Sequence, residues 1–168
     1  MNYFELFDIP IQLQVNTAVL KSKYLQLSRQ FHPDFHTKED ADTQQIALDK
    51  SALLNKAWQI FQDPLLTIQY ALQVLNVLKD GENPSLPPAF LAEMMELNEQ
   101  LSDASTEETG TLINQIKILQ DELLKSVNPL LNDPSTLSNE ANLEKVKSYY
   151  FQQKYLDRIQ QRLNQSNV

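Results

Sequence analysis

Leu20, Tyr24, Leu27 and Phe31 recur at spacings of four, three and four, so the apolar side chains between Ala18 and Phe31 line one face of a helix. Ahead of it, Tyr3-Phe4-Glu5-Leu6-Phe7 is a short apolar segment stopped before Pro10, which predicts one or two helical turns tucked under the next element. Asn16 or Thr17 can cap the longer helix. The pattern breaks at His32-Pro33-Asp34, because the proline ring excludes a helical hydrogen bond and pushes His32 out of the α region. After a polar stretch from Phe35 to Thr43, helical patterning resumes with Ala47, Ser51, Leu54, Trp58 and Phe61. The small side chains of Ala47 and Ser51 allow close packing on the Leu20 face, which predicts an antiparallel pair with the proline corner at its tip and Trp58 in the core. Asp63-Pro64 ends this helix and starts another, proline being favoured at the first helical position. Leu65, Ile68, Leu72, Leu75 and Leu78 continue the apolar stripe, with Gly81 as its expected stop.

Pro84, Pro87 and Pro88 fall within five residues and forbid a continuous helix, so the domain boundary is expected between Asp80 and Pro88. This gives a first domain at 1–80, a linker at 81–88 and a second domain at 89–168. The second half predicts three helices, at about Pro88–Leu101, Thr106–Ser126 and Asn139–Leu163. Ser105 and Glu108 stand at capping-box spacing, and Pro129 and Pro134 are expected to confine the last connection. Three amphipathic helices with short links predict an antiparallel bundle. On the first of them Phe90, Met94, Leu97 and Leu101 form one stripe suited to a core. Leu91 and Met95 fall about 100° and 140° round from Phe90, and Glu99, Ala92 and Glu96 at about 180°, 200° and 240°. That second face is partly apolar and partly acidic, which suits either a wider core contact or an exposed partner site. On the last helix Tyr149, Leu156, Ile159 and Leu163 share one side, and Phe151 lies well off it.

Only two glycines and few alternating β-branched runs make the chain all-α. No stretch approaches the roughly 20 apolar residues of a membrane span, and residues 1–30 lack a charged start followed by a hydrophobic block, which predicts a cytoplasmic protein. With no cysteine, a disulfide framework, a thiol nucleophile and a Cys-rich metal site are excluded, and no cofactor is expected. The charge of −8 is uneven: residues 1–79 hold seven Lys/Arg against eight Asp/Glu, and residues 80–168 hold seven against fourteen. The acidic half would repel nucleic acid and anionic membranes, so a protein partner is expected. Against that background Lys21, Lys23 and Arg29 make a locally basic helix, with no acidic residue between Val15 and His32. A solvated face is the other reading of those three charges.

The opening Tyr3-Phe4-x-Leu6-Phe7, the basic helix ending in Arg29-Gln30-Phe31-His32-Pro33-Asp34, and Asn55-x-Ala57-Trp58 followed by Asp63-Pro64-Leu65 resemble a J-domain. More narrowly, the chain looks like the HscB-type co-chaperones of bacterial iron–sulfur cluster assembly. The likeness continues through Ala89-Phe90-Leu91, Met95-Glu96-Leu97, Glu99 and Leu101 and so covers nearly the whole chain. The resemblance implies an L-shaped protein with an N-terminal J-domain and a C-terminal three-helix bundle, doing no chemistry of its own. It implies that His32, Pro33 and Asp34 with Lys21, Lys23 and Arg29 dock on a DnaK-like ATPase chaperone of the HscA type. It further implies that Leu91, Ala92, Met95, Glu96 and Glu99, with an exposed Phe151, hold the IscU-type scaffold on which the cluster is built. Without cysteine the cluster itself is expected on the partner. The chain departs from the family pattern at Phe35, where a lysine commonly follows the corner, at Ala92 in place of a methionine, and at Asn98 in place of an arginine.

Three other readings frame this one. A J-domain protein serving a different client shares every feature of the corner. An enzyme would need more than His32 and Asp34: Pro33 destroys the helical spacing that would make His32 and His36 a pair of metal ligands, and no nucleophile cluster or phosphate-binding loop accompanies them. A nucleic-acid-binding helical domain is disfavoured by charge.

Overall fold

The computed structural model describes residues 1–166, which form helices joined by turns, with no strand among them. The last two residues of the expected second domain, Asn167 and Val168, lie outside that range. The chain divides into two compact units, Met1–Val74 and Leu75–Val168. Residues 75–80, expected with the first domain, therefore group with the second.

The first unit contains α1 (Tyr3–Leu6), α2 (Thr17–Gln30), α3 (Ala41–Gln62) and α4 (Pro64–Val74). Its caps follow local chemistry. Asn2 and Glu5 form a capping box on α1, Asn16 accepts from the Ala18 and Val19 amides, and Asp63 accepts from the Leu65 and Leu66 amides. Leu20 and Leu27 of α2 are buried, as are Ala47, Leu54, Ala57 and Phe61 of α3. Burying a leucine such as Leu54 contributes about 1.5–3 kcal/mol, so this seam holds the pair together. Tyr24 stacks on Trp58 with ring centroids 4.8 Å apart and donates to Asn55 Oδ1 at 3.0 Å. Trp58 is thus half-buried at the rim rather than in the core, because its ring lies flat on Tyr24. Phe4 and Phe7 of the opening segment close the far end against Phe61, and Tyr3 stacks on Tyr70 of α4.

Two helix ends depart from the sequence reading. α4 stops at Val74 instead of running to Gly81, and Asn76 takes a left-handed backbone with φ of 58°. Asparagine tolerates that conformation better than other non-glycine residues, so it terminates the helix five residues ahead of the glycine.

The second unit holds α5 (Pro88–Asp103), α6 (Thr106–Asn132) and α7 (Glu140–Ser166). Phe90, Met94 and Leu97 of α5 meet Leu112 and Ile116 of α6 and Leu156 and Ile159 of α7 in one core. α6 runs straight through Pro129, which was expected to end it. A proline inside a helix costs roughly 3 kcal/mol or more. Here it falls in the last turn, and its neighbours Val127 and Leu131 are buried, which offsets the loss. Ser105 and Glu108 make the expected capping box at the start of α6.

Candidate functional site

Two surfaces carry the candidate residues, one in each unit. In the first, Phe31 caps α2 and the chain turns through a short 3₁₀ segment at Pro33–Phe35. His32, preceding proline, is extended, with φ −67° and ψ 126°. Its Nδ1 accepts the Asp34 amide at 3.2 Å. Asp34 Oδ2 lies 3.7 Å from the same nitrogen. An Nδ1 that accepts a hydrogen bond carries no proton, so the cap and an ion pair with Asp34 exclude one another. With Nδ1 so used, Nε2–H is left free for a partner. His32, Pro33 and Asp34 are all exposed, and the Phe35 ring beside them is 72% exposed.

The corner is tied at both ends. His36 Nε2 donates to the Gln30 carbonyl at 2.8 Å, and its Nδ1 lies 2.8 Å from Glu39 Oε2. Gln44, in the first turns of α3, donates to the Glu39 carbonyl at 2.8 Å, and Lys50 sits over the Phe31 ring at 5.3 Å. His36 therefore clamps the loop to the end of α2, a role its position in the sequence does not announce. Its spacing of three from Glu39 was the available signal. With both its nitrogens engaged, His36 is not poised to share a metal with His32.

The bond to the Gln30 carbonyl, then that to Glu39, raises the His36 pKa above its ordinary value. A raised pKa means the folded state holds the proton more tightly than the unfolded chain, so the clamp stabilises fully below about pH 6.5. The contribution is lost as pH rises through the raised value. The denaturation midpoint of the wild type is expected to fall more between about pH 6 and pH 8 than that of His36→Gln. Equal slopes would show that the clamp contributes nothing.

Lys21 and Arg29 of α2 are exposed and Lys23 is half-buried. Among the described residues none of the three has a carboxylate within 4.0 Å. Lys21 stands about 12 Å from Arg29 along the axis at 1.5 Å per residue, so of these three Arg29 is the one nearest the corner.

The second surface is on α5. Phe90, Met94 and Leu97 point into the bundle, and all five residues of the other face, Leu91, Ala92, Met95, Glu96 and Glu99, are exposed. Leu91 is 42% and Met95 67% exposed, high for apolar side chains next to a filled core. The mixed stripe is thus no wider core contact.

Phe151, expected as an exposed aromatic, is only 5% exposed. The segment before α5 lies on that side of α7: Ser85, Leu86, Pro87 and Pro88 share a cleft with Lys147, Ser148 and Phe151. Lys147 pairs with Glu82 and donates to the Val77 carbonyl at 3.0 Å, fixing the segment in place. A helical wheel of α7 alone cannot include this cover. Asn98 is also turned inward, donating to the Tyr155 hydroxyl at 3.1 Å.

Residues 86–164 match the family model of the HscB C-terminal oligomerisation domain. A co-chaperone HscB homolog of Haemophilus ducreyi is 35% identical over 137 residues, which are 78% of this chain and 79% of that protein. The homolog of Vibrio cholerae is 38% identical over 107 residues, 62% of this chain and 62% of that relative's length. Among solved structures, human co-chaperone HscB matches 100% of this chain and 83% of its own, with a TM-score of 0.78 and 26% identity. HscB from Vibrio cholerae matches 97% and 99%, with a TM-score of 0.64 and 27% identity. The two units correspond to the J-domain and the helical bundle of those proteins. Similar in sequence over most of its length and in fold over all of it, the chain belongs to the HscB co-chaperone family.

Proposed function

We propose that this chain is a cytoplasmic co-chaperone of iron–sulfur cluster assembly that works through two docking surfaces and has no catalytic residue. The His32-Pro33-Asp34 corner, with Arg29, Lys21 and Lys23 on α2, binds a DnaK-like ATPase chaperone of the HscA type and stimulates its ATP hydrolysis. The α5 face of Leu91, Ala92, Met95, Glu96 and Glu99 carries an IscU-type scaffold protein to that chaperone. Phe151 is left out of this face because it is covered. The observation that carries the reading is the corner itself. Its backbone is clamped from both sides by His36 and Gln44, while the His32 and Asp34 side chains stay exposed, the imidazole bonded only to the neighbouring Asp34 amide among the described residues.

The test is ATP turnover by an HscA-type chaperone with this protein titrated in, alone and with the scaffold. Turnover is expected to rise with the protein and to rise further with both. For Arg29→Ala the concentration needed for half-stimulation should increase, more at low salt than at high, because exposed charges are screened over about 10 Å at 0.1 M salt. No stimulation by the wild-type protein would overturn the reading. Salt-independent loss in Arg29→Ala would remove the electrostatic role of α2.

A further inference from the structure

The α5 face is bordered on one side by a strip of positive charge. Arg158 and Arg162 stand one turn apart on α7, both exposed, in an otherwise acidic half of the chain. With Tyr155, Gln161 and Gln165 they line an open cleft of about 440 Å³. Among the described residues neither arginine has a carboxylate within 4.0 Å. Of the other α7 cations, Lys147 is engaged by Glu82 and Lys154 by the Tyr150 ring at 5.6 Å, while exposed Lys145 lies more than three turns before Arg158.

The position of this strip relative to α5 is fixed by three contacts. The Tyr155 ring meets the Phe90 ring edge-on at 5.9 Å, and its hydroxyl accepts from Asn98 at 3.1 Å. Arg162 shares a second cleft with Asn98, Leu101 and Ser102. The edge of α5 that carries Asn98 and Ser102 is therefore the α7 edge. Advancing about 100° per residue from Phe90, Asn98 lies at about 80°, Leu91 at 100°, Ser102 at 120°, Met95 at 140°, Glu99 at 180° and Glu96 at 240°. Crossing from α7 over α5, the surface is cationic, then apolar, then acidic.

We propose that Arg158 and Arg162 form the α7 edge of the scaffold-docking surface and take one or more carboxylates of the scaffold. The scaffold then seats in one orientation, an apolar patch on Leu91 and Met95, an acidic side chain toward α7 and a basic one toward Glu96 and Glu99. Reversing the partner would set like charges together at both edges, which is how charge fixes register at an interface. The inference rests on the reading of the α5 face as the scaffold site.

The experiment measures binding of the IscU-type scaffold to the full chain at low and high salt. Arg158→Glu with Arg162→Glu is expected to weaken binding by about tenfold at low salt and less at high salt, as for charges at an interface rim. Lys117→Glu with Lys125→Glu on α6 makes the same change in net charge away from both clefts and should stay within about twofold. Arg158→Gln with Arg162→Gln serves if the reversed variant does not fold, with about half that logarithmic loss. If the α7 pair binds normally while Leu91→Ala with Met95→Ala weakens binding, the cationic edge is overturned and the α5 site stands. If the α5 pair binds normally, that reading falls and the inference with it. Equal losses in the α6 and α7 pairs would overturn the edge in favour of an overall field.

Discussion

His32→Gln is expected to abolish stimulation of the chaperone's ATPase while changing the stability of the protein by no more than about 0.5 kcal/mol. The imidazole is exposed and its contacts are local: the Asp34 amide at Nδ1 and the edge of the Phe35 ring at 6.0 Å. A glutamine oxygen can accept the same amide, and the loop's anchors at His36 and Gln44 are untouched. What disappears is the rigid aromatic donor presented beside Asp34. Parallel measurements of ATP turnover and denaturant unfolding check both halves. Stimulation retained by a folded His32→Gln would remove the corner from the mechanism.

Phe151→Ala carries the second large effect, and it is an effect on folding. Truncating a buried phenylalanine costs about 3–5 kcal/mol, through lost burial and the cavity left behind. Leu91→Ala and Met95→Ala remove exposed side chains and should each stay within about 0.5 kcal/mol of wild-type stability. The contrast is informative because a binding loss in Phe151→Ala could otherwise be taken for a lost contact. Denaturant unfolding of the three variants separates the cases: a wild-type midpoint for Phe151→Ala would contradict its burial.

How much of this was legible in the sequence depends on the range of the interactions involved. The caps at Asn16, Asp63 and Ser105 act within three residues and were readable. So were the paired faces of α2 and α3, and the existence of a second face on α5, since each follows from periodicity along one helix; that this face is solvent-exposed rather than a wider core contact came only with the exposure of Leu91 and Met95. That the chain breaks and turns at the corner follows from Pro33 alone. Phe151 was misread because its cover comes from a segment more than sixty residues away, anchored by Lys147 on the Val77 carbonyl. Pro129 was misread because burial of Val127 and Leu131 overrides a local rule. The early end of α4 lies between the two cases: Gly81 was the expected stop, and the left-handed backbone at Asn76, a local feature, ends the helix before it. The clamp at His36 needs the loop to be already folded back on Gln30, a geometry that no spacing states.

The chain has two histidines, and the loop gives them opposite chemical characters. His36 commits both ring nitrogens to the loop, whereas His32 commits one. A reagent that acylates accessible imidazole should therefore modify His32, whose ring is the more exposed and is held by one bond that can be given up locally, before His36, and no thiol competes for it. Protection of that single position when the chaperone is added would report occupancy of the corner directly, without mutation or turnover.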